Sequence, residues 1–291
     1  MPMVYTFEKP VDTHELTVRE VLDDSVESIV RIDEGWTHIV LEVNGKWVFR
    51  FVRDPSNTQL AVEQAFLPLF KGHSPLPIPE IRYSGADFIA YEKIDGVKFS
   101  ESVFRSLGRR ERASHAAALG DFLSRLHAVT FEHRYLNAAP FGGGDFWDEL
   151  WPAAAPRLNP STRQSAERYF RRALSRIASA AYPIVVTHSD FGTGNILIDA
   201  AGSKLTGVID FGDISLSDPA TDFATLYRRF GKPFAEDMAE AYRLPLGEDF
   251  WTRVDCQSKR KLFFVLFFAL NHGFDEHMPG LVRAIESRFA E

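Results

Sequence analysis

The sequence predicts an α+β chain in two lobes: a small antiparallel-sheet N-lobe over residues 1–95 and a larger, mainly helical C-lobe over 96–291. Three observations carry this. Apolar and polar residues alternate with a period of two on either side of Asn44 and Gly45. From Gly108 onward the apolar residues fall at helical spacing instead. Between these regions Asp95 and Gly96 interrupt both patterns, and the lobe boundary is placed there.

Taken in order, Ile39 to Val43 and Lys46 to Val52 read as a β-hairpin. Asn-Gly is the preferred two-residue turn because both positions need positive φ. A turn over Asp54 to Asn57 then caps a helix from Thr58 to Phe70, which buries Leu60, Leu67 and Phe70 and carries Glu63 inside it. Ser74 to Pro79 is a proline-rich crossing that cannot be helix. Ile81 to Ser84 and Phe88 to Ile94 are strands. In the second lobe Arg109 to Val129 is a helix with Leu119, Phe122, Leu123 and Leu126 on its core face. Pro140 to Gly144 is a loop, and Ser161 to Ala180 is a basic amphipathic helix. Tyr182 to Thr187 is a strand, Ile196 to Asp199 and Leu205 to Ile209 form a second hairpin, and the tail from Thr221 is helical.

Bulk properties narrow the function classes. With 291 residues, 45% of them hydrophobic, the chain can bury a sizeable core. The net charge of −7 argues against nucleic acid or an anionic membrane as partner. The longest apolar run, Leu262 to Leu270, is about half the length that spans a bilayer, and reads as a buried helix. Met1 to Pro10 lacks a basic region followed by an apolar core, so no signal peptide is expected. The one cysteine, Cys256, cannot form an intrachain disulfide and fits a reducing cytoplasm. We expect a cytoplasmic monomer.

The chemistry is concentrated in His188 to Asn195 and Gly207 to Gly212, each preceded by an apolar strand. Together they put Asp190, Asn195 and Asp210 on one loop and one strand end. Phosphoryl transfer from a nucleotide needs such a set: a carboxylate to orient the incoming hydroxyl, and hard oxygen ligands for a divalent metal. Asp190 is the candidate base, with Asn195 and Asp210 the candidate Mg2+ ligands. Gly192 and Gly194 are read as letting the loop turn tightly near the phosphates. His188 is read as propping the loop. Asp and Asn are also ordinary turn residues; it is the combination with the flanking strands that points to catalysis. A G-x-x-x-x-G-K-[S/T] loop is absent, so this is not a P-loop enzyme.

His188, Asp190 and Asn195, then Ile209 to Asp213, then Ser217 to Asp222, resemble the aminoglycoside phosphotransferase family of antibiotic kinases, relatives of protein kinases. The match spans residues from about 30 to 225; it is similar first to the 2″-aminoglycoside phosphotransferases and next to the macrolide phosphotransferases. The resemblance implies a bilobal protein-kinase-like fold that binds ATP or GTP with Mg2+. It gives Asp190 the catalytic role and Asn195 and Asp210 the metal. Glu34 to His38 resembles the family's nucleotide loop, which makes Trp36, Thr37 and His38 cofactor-binding candidates. Glu63 matches the helix acid that pairs with a strand lysine. Here Arg50 stands in that lysine's place, a planar fork instead of a point charge. Glu92 and Ile94 match hinge positions that bind a purine, and Tyr91 faces the base pocket in that alignment. A bulky residue there accompanies guanine preference, so GTP stands beside ATP; as a plain strand residue Tyr91 is half-buried packing. Asp218 before Pro219 reads as a helix cap, and Asp213 as support for the metal loop.

The acceptor implied is an aminoglycoside antibiotic, with a macrolide or another hydroxyl compound as alternatives and a non-catalytic nucleotide-binding module as the rival class. Where 2″-type relatives carry acids this chain reads Tyr227 to Phe234, which is basic. Acids come later, and Glu236, Asp237 and Glu240 are the candidate acceptor contacts, the two glutamates sharing a helix face. Trp251, with Phe250, Phe146 and Trp147, is a candidate pocket wall or else core packing.

Overall fold

The computed structural model describes residues 11–22, 25–32, 37–138 and 146–290. The loop expected over Pro140 to Gly144 and the candidate Trp36 lie outside the described residues.

The N-lobe opens with helix α1 (Val11–Val21), then strands β1 (Ile29–Ile32), β2 (His38–Val43) and β3 (Trp47–Val52), helix α2 (Gln59–Lys71), and strands β4 (Ile81–Ser84) and β5 (Phe88–Glu92). The five strands form one antiparallel sheet in the order β1-β2-β3-β5-β4. The β2–β3 hairpin turns at Asn44 and Gly45 with φ of 55° and 64°, the left-handed pair that this dipeptide accommodates. The Asn44 side chain also accepts from the Glu27 and Ser28 amides at 2.8 and 3.0 Å, which ties the preceding segment to the turn. Alternation along β3 then sorts the sheet. Phe49 and Phe51 pack with Phe88 and with Val18 of α1, while Arg50 points to the opposite face. Neither α1 nor β1 was expected from the sequence; α1 mixes polar and apolar residues, with His14 and Val18 buried and Leu16 exposed.

Helix α2 covers the Arg50 face. It starts where Asn57 accepts from the Gln59 amide at 2.7 Å, and it continues through Pro68. Leu60 packs with Ile89 and Tyr91, while Phe66 and Phe70 reach into the aromatic core of the C-lobe beside Phe122 and Phe211. Helix α2 thus packs on both lobes, and its side chains are fixed relative to both.

After Glu92 the chain changes sheet. Strand β6 (Val97–Lys98) pairs with β9 (Ile196–Ile198), which pairs with β10 (Leu205–Val208). Gly96, at φ 145°, sits where a Cβ would lie 2.4 Å from Thr206 Oγ1, so the break seen at Asp95 and Gly96 is a close approach that only glycine permits. Two helices follow, α3 (Glu101–Ser106) and α4 (Arg109–His127), then β7 (Asn137–Ala138), α5 (Trp151–Ala154) and α6 (Pro160–Ile177). Strand β8 (Val185–Thr187) is shorter than the expected Tyr182 to Thr187; Pro183 has no amide to give a ladder. It lies in a small sheet with β7 and β11 (Ser215–Ser217). Helices α7 (Ala220–Phe230), α8 (Lys232–Ala241), α9 (Phe250–His272) and α10 (Met278–Phe289) complete the lobe. The apolar run falls within α9, with Leu262, Phe263, Leu266 and Ala269 buried. Among the described residues no helix is long and apolar enough to cross a membrane.

Candidate active site

The loop from His188 to Asn195 follows β8 and is held from beneath. Ser189 takes φ of 66°, a left-handed conformation unusual for a serine. The Asp222 carboxylate stabilises it by accepting from the His188 amide at 2.7 Å and the Ser189 amide at 2.8 Å. Asp222 is fully buried and also bonds His127 Nε2 at 3.0 Å, whose Nδ1 meets the Tyr242 hydroxyl at 2.8 Å. Burial alone would raise the Asp222 carboxyl; its bond to His127, with the nearby His188, more than offsets that and leaves it lowered. His188 is buried, and its Nε2 donates to the Ile209 carbonyl at 3.1 Å. It props the loop, as its position suggested.

Asp190 emerges at the floor of a cleft. Asn195 Nδ2 donates to its Oδ2 at 2.8 Å and to its backbone oxygen at 3.0 Å, and Lys261 Nζ pairs with its Oδ1 at 2.5 Å. The carboxylate is oriented from two sides yet remains 42% exposed. Burial would lower the Lys261 ammonium; the charge and hydrogen bond of Asp190 outweigh this and raise it. With its NH2 engaged, Asn195 keeps its amide oxygen free of protein partners among the described residues.

Asp210 lies two residues past β10 and is also left-handed, at φ 67°. Its Oδ1 receives Arg50 Nη2 at 2.5 Å, while Arg50 Nη1 makes a two-point contact with Glu63 at 2.7 and 2.9 Å. Arg50 is 4% exposed and Glu63 fully buried. Burial pushes the Glu63 carboxyl up to about 7 against the pull of Arg50. His38 Nδ1 lies 3.3 Å from Arg50, and burial first, then the arginine charge, holds that imidazole neutral at about 3. The Phe211 amide donates to Glu63 at 3.3 Å, so Arg50, Glu63 and Asp210 form one cross-lobe cluster.

The cleft, about 820 Å³, has a volume suited to a small molecule. Thr37, Asp190, Asn195, Asp210 and Asp213 line one end. Asp213 accepts from Gln59 of α2 at 2.5 Å. A Cβ at Gly192 would lie 3.0 Å from the Thr225 methyl, a tight contact that a small shift relieves, whereas Gly194 faces open space. The unusual backbone expected at these glycines falls instead on Ser189 and Asp210.

Other candidates lie elsewhere. Tyr91 is buried with Leu60 and Ile89 and does not line the cleft; burial raises its phenol. Glu92 is exposed on β5, opposite Trp47, and Ile94 packs by Gly207 in the connection between the sheets. Glu236, Asp237 and Glu240 ride on α8 and form no part of the cleft walls; Glu236 faces Lys232 at 3.3 Å. Trp251 stacks on Tyr227, and Phe146 and Trp147 join the aromatic core under α6, so these rings are packing. Asp218 accepts from the Ala220 amide near the start of α7, and it also forms a fully buried pair with Arg253 at 2.7 Å that the sequence did not reveal.

Residues 28–254 match the model of the phosphotransferase enzyme family. The chain belongs to this family. The viomycin phosphotransferase of Streptomyces vinaceus is 25% identical to this phosphotransferase over 239 residues, covering 76% of this chain and 80% of that one. The GDP and kanamycin complex of the aminoglycoside phosphotransferase APH(2″)-IIIa superposes with a TM-score of 0.82 at 23% identity, over 94% of this phosphotransferase and 97% of that chain. The macrolide 2′-phosphotransferase MphH of Brachybacterium faecium gives 0.68 at 18% identity, over 93% and 98%. The phosphotransferase thus has the fold of the aminoglycoside and macrolide kinases. Its Asp190, Asn195 and Asp210 meet at one cleft.

Proposed function

We propose that this phosphotransferase moves the γ-phosphoryl group of ATP or GTP to a hydroxyl of a small molecule, with Asp190 as the catalytic base. The observation that carries this is the Asp190 carboxylate, fixed by Asn195 and Lys261 yet open to an 820 Å³ cleft that Asp210 also lines. A fixed carboxylate can align the attacking oxygen and accept its proton, a contribution of about 10²–10⁴-fold.

The donor set fits magnesium. Asn195 offers a free amide oxygen and Asp210 a carboxylate that is 45% exposed, both hard ligands. Magnesium keeps several waters and takes phosphate oxygens, so two protein ligands suffice. Bound there, the ion would neutralise charge on the phosphates. Arg50 is buried outside the cleft lining, with Nη1 on Glu63 and Nη2 on Asp210, so its part is to hold the Asp210 carboxylate in place beside the phosphates. The resemblance further supports Thr37, His38 and Trp36 around the phosphates and the backbone near Tyr91, Glu92 and Ile94 at the purine.

For the acceptor, the likeness to the kanamycin-bound relative supports an aminoglycoside, and the macrolide kinases support that alternative. A second reading, a hydroxyl compound that is not a polycation, is favoured by the cleft walls, where the expected acids of α8 are missing. The intact donor set argues against a non-catalytic module.

A phosphate-transfer screen with ATP and GTP against aminoglycosides, macrolides and hydroxyl metabolites tests the function; activity with none, despite nucleotide binding, would leave only the non-catalytic module. Asp210→Ala is expected to weaken Mg2+-dependent nucleotide binding by at least about tenfold, the smallest effect typical even of a metal ligand's outer partners. Calorimetric titration of nucleotide with and without Mg2+ measures this, and unchanged affinity would remove Asp210 from the metal site.

A further inference from the structure

Two helix faces build the cleft beyond Asp190. On α7 the face is Thr221, Ala224, Thr225 and Arg228; on α9 it is Gln257, Arg260, Lys261, Phe264, Val265 and Phe268. Both follow helical spacing, so each is one continuous stripe. Gln257 reaches Thr221 at 3.5 Å and joins them. Among the described residues the carboxylates lining the cleft are Asp190, Asp210 and Asp213, at the phosphate end; the far wall that α7 helps to build carries Arg228 and Arg229, and Arg260 and Lys98 also line the cleft.

Arg228 is the informative member. Its Nε is buried and has no hydrogen-bond partner, and its guanidinium makes no ion pair among the described residues. Arg229 is paired with Glu101 at 2.7 Å, and Arg288 contacts the Arg228 backbone oxygen. Burial first, then the like charges of Arg229 and Arg288, lower Arg228 to about 10 against the opposing pull of Glu101, still charged at neutral pH. Arg228 is half-buried, and a buried Nε without a partner beside like charges is costly unless an anion reaches the guanidinium.

We propose that the far wall of the cleft is an anion subsite, so that the acceptor carries a carboxylate or phosphate that seats on Arg228 while its hydroxyl reaches Asp190. Arg228 lies six residues past Asp222, which anchors the catalytic loop, or roughly 9 Å along α7. Long helical side chains lean toward the N-terminus, which brings the guanidinium back toward that loop. An acceptor with its hydroxyl and anionic group a few bonds apart fits this span. A polycation would set its ammonium groups against the arginines. This inference rests on the phosphotransferase reading and specifies the charge of its acceptor.

The test begins with the full chain saturated with MgADP, whose binding is measured first by calorimetry. Inorganic phosphate and malonate are then titrated separately, which distinguishes a phosphate from a carboxylate ligand. The wild type is expected to bind at least one of them, and Arg228→Gln to weaken it about tenfold or more. Arg163→Gln, on the exposed face of α6, controls for net charge and is expected to change nothing. Should Arg228→Gln fold poorly, Arg229→Gln on the same wall, an exposed position, is expected to weaken the anion by a few-fold. Binding of neither anion to the MgADP-loaded protein, or equal binding by wild type and Arg228→Gln, would overturn the subsite. Failure to bind MgADP would overturn the phosphotransferase reading itself, and the subsite with it.

Discussion

Asp190→Asn is expected to lower turnover at least about 100-fold while leaving the melting temperature near that of the wild type. The amide has the size of the carboxylate, so the loop keeps its shape. It cannot take the hydroxyl proton, and one of its two groups must now face a donor, either Asn195 Nδ2 or Lys261 Nζ. The lost ion pair matters little for stability, because Asp190 and Lys261 are 42% and 30% exposed and such pairs contribute about 0–1 kcal/mol. Steady-state kinetics at saturating nucleotide and acceptor, together with a thermal melt, measure both quantities. Turnover within a few-fold of wild type would remove Asp190 as the base.

Asp222→Ala is expected to destabilise the fold by about 3–5 kcal/mol and to reduce turnover with it. The substitution strands the buried amide of His188 and the half-buried amide of Ser189, and leaves His127 without its acceptor. It also frees Ser189 from the left-handed conformation that aims Asp190. The pH dependence has a definite sign. The Asp222 carboxyl is lowered in the folded protein, so its contribution is full above the unfolded value of about 3.9 and is lost as pH falls through the folded value. The gap in unfolding free energy between wild type and Asp222→Ala should therefore be widest near neutrality and narrow in acid. Denaturant titrations at neutral and acidic pH measure it; a gap under about 1 kcal/mol at neutrality would mean that the loop is held by other contacts.

The parts legible in the sequence share one property: their signal is local. The Asn44 and Gly45 hairpin, the α2 helix with Glu63, the loop of Asp190 and Asn195 and the strand end at Asp210 are each written within a dozen residues. Arg50 could be matched to Glu63 through the family resemblance, and the structure places them in contact. What was not legible depends on distant partners. Lys261 meets Asp190 from a helix that begins 60 residues later, and within α9 it looks like one surface cation among several. His127 ends α4 as an ordinary last-turn residue, yet it bonds Asp222 95 positions away. Asp222 was visible only as the end of a motif in which Asp218, read as a helix cap, was the residue given a role. The acids of α8 were read as a pocket face from their i, i+4 spacing, which gives a shared face but not its direction.

Helix α9 carries Arg253, buried against Asp218, and two turns later Lys261, paired with Asp190. Inserting one residue between them would rotate the distal part by about 100° and unseat at least one of the two contacts. Length drift is consequently forbidden in this rod even where its individual side chains can be exchanged. The stretch from 253 to 261 cannot take an insertion.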